Sequence, residues 1–338
     1  MTIIEIEDIA IKEISTLPNH LFNYHFNPYN LRVNKNPFSN SIVLNCFHIE
    51  KRLKGYSKKF VKKIASFKEK NLEHYDQLLQ FTAELIVISH LAESLSDEWI
   101  FEEEPTANGS KKNPEISVTD GETTLLVEVK SPRFHEFQKI RTQTGVQLPS
   151  RINGFQEMAK NVYGQNPSLP RDNIVKDFLI SADTKFKHFK LEDKNILSVL
   201  VIVWDDYIYE PISSLKNDFT GLLTEQSYYK DKNQKAVKFL NIDNIVLIRN
   251  MTEVINCTRQ DVYPTSGLSH PLDYGKRGVA LPKSLFTVNQ HDKEDFILDL
   301  FECVPQIHLE DFADYKAQDL IMWMKIPSLQ KPNKTERL

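Results

Sequence analysis

The chain has 338 residues, a formal net charge of −4, 41% hydrophobic and 26% charged residues. That balance fits a soluble globular protein with room for two domains, or for one domain with large additions. It excludes a bulk polycation, so nucleic-acid binding would have to use local basic patches. Cys46, Cys257 and Cys303 are widely spaced and form no Cys-x-x-Cys pair. This usage predicts a reducing compartment without a disulfide framework. The acidic start, Met1 to Asp8, lacks a signal-peptide charge pattern, and the longest apolar stretch, Ile196 to Trp204, is about half of the ~20 residues needed to span a bilayer. A cytoplasmic protein with no membrane partner is expected.

In chain order, residues 1–50 read as a short helix followed by an irregular arm. Asparagines recur there from Asn19 to Asn45 among phenylalanines and tyrosines. The arm is too aromatic for disorder and is expected to pack on the core or on a partner. Residues 51–95 have helical spacing, with Leu85, Ile88, Ala92 and Leu95 on one side. Trp99 to Glu104 reads as a strand, and a hairpin follows. Residues 133–148 read as a long polar connection. Ser150 is placed to cap a helix reaching about Val162, and Asp172 a second helix reaching about His188. Ile196 to Trp204, apolar and β-branched, predicts a buried strand parallel to a neighbour. A helix near 212–224, a strand over Ile242 to Ile248 and an amphipathic helix near 292–303 complete the reading. The organisation expected is an N-terminal arm and basic helix (1–74), a core (75–205) and a C-terminal α/β extension packed on that core (206–338).

The stretch from Asn113 to Pro132 carries the chemistry. Asp120-Gly121 lies between two alternating runs, a short-range hairpin signal. Taken as a two-residue turn, the pair sets Thr119 against Glu122, Ser117 against Thr124 and Glu115 against Leu126. Side chains alternate with period two. One face then carries Glu115, Ser117, Thr124, Leu126, Glu128 and Lys130, and the other Ile116, Val118, Leu125, Val127 and Val129. Glu115 and Glu128 become diagonal neighbours, at roughly 7–8 Å between α-carbons. Two long carboxylates can share one hard cation across that gap, and Mg²⁺ is typically held by one or two carboxylates, waters and substrate phosphate. Lys130, next on the same face, can orient or deprotonate a water. The plain alternative is a solvated sheet face with ordinary charges.

Pro114-Glu115 followed by Glu128-Val129-Lys130 resembles the PD-(D/E)XK nucleases. The resemblance covers roughly residues 75–205. It implies a restriction-endonuclease-like α/β core, a central mixed β-sheet flanked by helices. It also implies metal-dependent cleavage of phosphodiester bonds, in DNA on family grounds, in a setting such as phage defence or DNA repair. The metal is Mg²⁺, with Mn²⁺ as a substitute. Glu115 and Glu128 would be its ligands, with the backbone carbonyl of Val129. The family's first helix often supplies a further acid, for which Glu84 is the candidate. One departure stands out: the aspartate usual after the proline is here Glu115, one methylene longer.

Several basic residues are candidates for phosphate. Lys54, Lys58 and Lys62 recur at four-residue spacing and would share a helix face. Arg141, Gln147 and Arg151 follow the Lys130 strand and could clamp a phosphate, with Lys185 and Lys187 as lesser candidates. A homodimer or a multi-subunit defence complex is compatible with this reading. Two other readings remain open: a catalytically inactive nucleic-acid-binding or assembly subunit with the same fold, and a metal enzyme acting on a small molecule.

Overall fold

A computed structural model describes residues 1–107, 112–144, 146–147, 154–163, 173–193, 195–260, 262–264, 266–318, 321 and 323–324. The main sheet has seven strands: β1 (Ile100–Glu103), β2 (Ile116–Thr119), β3 (Thr124–Lys130), β5 (Leu197–Val203), β6 (Asn244–Ile248), β7 (Lys283–Thr287) and β8 (Cys303–Pro305), in that spatial order. β1, β2 and β3 form an antiparallel meander. β5 runs parallel to both β3 and β6. β7 is antiparallel to β6 and β8 parallel to β7, so the sheet is mixed. The segment after residue 205 therefore contributes three strands to the same sheet, of which sequence reading anticipates only β6. A separate two-stranded sheet pairs β4 (Val146–Gln147) with β9 (Trp323–Met324).

Helices cover both faces of the main sheet. Leu125, Val127 and Val129 point into a core shared with α1 (Ile3–Ala10), α2 (Pro37–Arg52), α3 (Tyr56–Ala65), α4 (Leu72–Ser94), α9 (Met251–Gln260) and α10 (Glu294–Leu300). Leu126, Leu200 and Ile202 point the other way, against α7 (Ile174–Glu192) and α8 (Tyr209–Lys216). The remaining helices are α5 (Phe134–Thr144) and α6 (Phe155–Tyr163). The near-continuous apolar run of β5 follows from its place between two parallel neighbours with both faces covered. Among the described residues no helix is long and apolar enough to cross a membrane. Cys46, Cys257 and Cys303 are buried and no disulfide joins them.

The first fifty residues are more ordered than an irregular arm. Asn36 caps α2 by accepting the Ser39 amide, and Pro37 occupies the first helical turn, where its missing N–H costs nothing. Two of its asparagines tie down the chain through backbone carbonyls: Asn23 donates to Ser15 O at 2.8 Å and Asn30 to Tyr24 O at 2.7 Å. Phe22, Phe26 and Phe38 are buried, so the segment does pack on the core.

The connection expected at 133–148 is instead the helix α5 over most of its length. Its N-terminal amides find a carboxylate from far along the chain. Asp76 Oδ1 accepts from His135 N and Oδ2 from Glu136 N, each at 3.0 Å. The helix expected near 212–224 is shorter and earlier, because Asn217 Oδ1 accepts from Phe219 N and Thr220 N and turns the chain after Lys216. α7 begins after Asn173, which makes no side-chain cap. Ser150 and Asp172, the expected caps, lie outside the described residues.

Candidate active site

The hairpin register differs from the sequence expectation by two residues. Thr119 pairs with Thr124, Ser117 with Leu126 and Ile116 with Val127. The turn spans Asp120 to Thr123. Asp120 Oδ1 accepts the amides of Glu122 (3.0 Å) and Thr123 (2.7 Å), and Gly121 takes φ +93°, a left-handed conformation that glycine adopts without strain. A shift of two preserves which face each side chain occupies. The ladder ends at Ile116, and what places Glu115 near Glu128 is a shared ammonium, Lys185 Nζ, 3.8 Å from the one and 2.7 Å from the other. Glu115 sits one residue before β2, its amide donating to Val127 O at 3.1 Å.

The face that carries Glu128 is not solvated. α7 lies over it, and Glu128 is 0% exposed. A buried carboxylate is costly unless paired, and two lysines pair it. Lys130 Nζ, from the same strand, is 2.5 Å from Glu128 Oε1. Lys185 Nζ, from α7, donates to Glu128 Oε1 at 2.7 Å and Oε2 at 2.8 Å. The same ammonium is 3.8 Å from Glu115 Oε1. From the sequence alone Lys185 is only a lesser candidate for phosphate contact. Its real partners lie on β3 and just before β2, and no local pattern in α7 announces them.

Glu84 completes the group. It stands on α4, whose face at four-residue intervals also carries Asp76 and Gln80. Gln80 Nε2 donates to Ser131 O at 3.1 Å, immediately after Lys130. One helix face thus grips the exit of β3 and brings Glu84 to the hairpin. Glu84 pairs with Lys63 of α3 at 3.2 Å. Burial pushes the Glu84 carboxyl up, opposed by Lys63 and Lys130 and reinforced by Glu128. Glu115 is pushed up to about 7, first by burial, then by the negative charges of Glu84 and Glu128, with Lys185 and Lys130 opposing. A recess of about 70 Å³ opens beside Glu84 and Glu115, walled by Tyr56, Lys59, Phe60 and Lys63 of α3. Burial likewise pushes the Tyr56 phenol up.

The structure therefore gathers Glu84, Glu115, Glu128, Val129 and Lys130 at one place, and it adds Lys185. The expected lysine stripe is altered. Lys54 lies in the turn between α2 and α3, so only Lys58 and Lys62 share the helix face, and both are exposed. The neighbouring pair on α3 is also exposed but ion-paired, with Lys59 3.0 Å from Glu103 and Lys63 on Glu84. Gln147 is fully buried in β4, which removes it from a phosphate clamp. The Arg141 side chain and all of Arg151 lie outside the described residues.

Among the described residues no three His, Cys, Asp or Glu side chains stand at metal-ligand spacing. The donor set is instead two carboxylates, Glu115 and Glu128, with one ammonium at both. That chemistry fits a hard divalent cation, which needs only one or two carboxylates when waters and a phosphate fill its other positions. Compared with protein-family models, curated proteins and solved structures, the chain matches none.

Proposed function

We propose that this protein is a metal-dependent nuclease with a restriction-endonuclease-like core, hydrolysing phosphodiester bonds, with DNA as substrate. One observation supports the reading: Glu115 and Glu128 share one ammonium beside Lys130 at the β2–β3 hairpin, and Glu84 of α4 lines the same recess as Glu115. Such convergence is expensive. Like charges gathered out of water must be neutralised, and function is a common reason for retaining them.

In this reading Glu115 and Glu128 hold Mg²⁺ or Mn²⁺, with the Val129 carbonyl and Glu84 in support. When bound, the cation would polarise the phosphoryl oxygen, acidify water and stabilise the leaving oxygen. Lys130, fixed by its contact with Glu128, orients the water that attacks phosphorus as the bond to the leaving oxygen breaks. The exposed Lys58 and Lys62, on the helix that walls the recess, attract the polyanion. The raised Glu115 carboxyl supports the scheme, since a carboxylate penalised by burial and by neighbouring negative charge is relieved by an added cation.

A second reading, a non-catalytic nucleic-acid-binding or assembly subunit, draws on the ammonium of Lys185 lying where that cation would sit. One experiment decides. Purified protein is incubated with linear, circular and single-stranded DNA and with RNA, in Mg²⁺, Mn²⁺ or EDTA, beside the variant Lys130→Gln. Cleavage should require the metal and fall by about 100-fold or more in the variant. Cleavage that persists in EDTA, or at full rate in the variant, would refute the assignment. Salt-sensitive binding without cleavage or metal uptake would establish the second reading.

A further inference from the structure

Lys185 is the one member of the buried cluster that the proposed reaction does not use. Its position is specific. The ammonium donates to both oxygens of Glu128, at 2.7 and 2.8 Å, and lies 3.8 Å from Glu115. It bridges the same two carboxylates assigned above to the divalent cation. Its side chain, reaching from α7, is 14% exposed, against 0% for Glu128, so little water screens the pair. Lys130 already neutralises one oxygen of Glu128. A second ammonium there is more than Glu128 alone requires, but it is what the combined charge of Glu84, Glu115 and Glu128 requires when no metal is bound.

We propose that Lys185 is a built-in counter-ion that holds the metal position of the resting site and must withdraw before a divalent cation can enter. The inference rests on the nuclease reading and concerns how that site is regulated. Lysine suits the task. Its charge is compact and its stem has four flexible carbons, so the ammonium can leave Glu128 without moving the backbone of α7. The arrangement keeps the acids converged and the fold intact in metal-free protein, and it sets a threshold concentration below which the site stays closed. Metal and Lys185 then compete: whatever removes the ammonium tightens metal binding, and whatever tightens the ammonium weakens it.

The test is metal binding, independent of cleavage. Mg²⁺ and Mn²⁺ are titrated by calorimetry into the wild type and into Lys185→Met, Lys185→Gln, Lys185→Arg and Glu115→Gln, at about pH 8.5 and constant ionic strength. Removing a unit charge a few ångströms from the metal position should tighten binding about tenfold or more in Lys185→Met and Lys185→Gln. Lys185→Arg keeps the charge and should stay near the wild type. Both neutral variants should melt at lower temperature than the wild type in EDTA and gain more from Mg²⁺. Lys185→Gln keeps a polar group at the position and serves if the methionine variant does not fold. Binding by the neutral variants where the wild type shows none would support the proposal strongly. Equal or weaker binding in a folded neutral variant would overturn it. If the wild type binds metal and Glu115→Gln weakens it, that failure would leave the metal reading standing. If no variant binds metal at all, both fall together.

Discussion

The raised carboxyl of Glu115 makes a testable statement about stability. Glu115 is held at about 7 in the folded protein, against roughly 4.3 for an exposed glutamate in the unfolded chain. The native state therefore binds this proton more tightly than the unfolded state does. The stabilisation is fully present below about pH 4.3 and is lost as pH rises through about 7. The side chain is only 19% exposed, so solvent screening removes little of the effect. Between about pH 5 and about pH 8.5 the wild type should lose roughly 2–3 kcal/mol through this one group. Glu115→Gln resembles the protonated acid in shape and does not titrate. The assay is urea unfolding of both proteins in EDTA over that range. Acids outside the cluster titrate in both proteins and cancel in the difference. The variant should gain on the wild type by the stated amount as pH rises, most steeply around neutrality. Two curves that stay parallel within about 0.5 kcal/mol would refute the burial and charge argument for this cluster.

Three further outcomes are expected. Glu128→Gln strands the ammonium groups of Lys130 and Lys185, which are only 22% and 14% exposed; it should cost about 2–4 kcal/mol in urea unfolding, and adding Lys185→Met should recover part of that loss, as a double-mutant cycle would measure. Asp76→Ala removes a buried carboxylate that accepts two amides at the start of α5; α5 amides should exchange with deuterium faster while those of β5 stay protected, and unchanged exchange in α5 would show that the cap is dispensable. Replacing Lys58 and Lys62 with Gln should lower the slope of log affinity against log salt on duplex DNA by about 0.9 per lost phosphate contact, equally for unrelated sequences; an unchanged slope would place the DNA-binding surface elsewhere.

Much of the site could be read in the sequence because it is local. The hairpin fixes two alternating faces through strand period alone, and a two-residue error in register leaves those faces unchanged, so Glu115, Glu128 and Lys130 were placed together despite the wrong turn length. The turn is longer than the Asp-Gly pair implies because Asp120 organises the loop with its side chain rather than through a tight two-residue backbone turn. β5 and β6 were legible from apolar runs that only a doubly covered parallel sheet requires.

Other features depend on partners distant in the chain. α5 owes its N-terminal cap to Asp76, 59 residues from His135, and its own polar sequence reads as a loop without it. β7 becomes a strand because β6 offers it an edge, and β8, only three residues long, pairs in turn on β7. The burial of Glu128 depends on α7 crossing the face that carries it, and α7 reaches that face through the parallel β3–β5 crossover. Lys185 follows from the same crossing. The sequence by itself determined which groups could do chemistry and which face they share. Only the tertiary structure decided that the face is buried and that Glu115 and Glu128 share one ammonium, supplied by a helix far along the chain. Strand alternation and turn chemistry act between neighbours in the chain, whereas desolvation and charge pairing depend on what packs above.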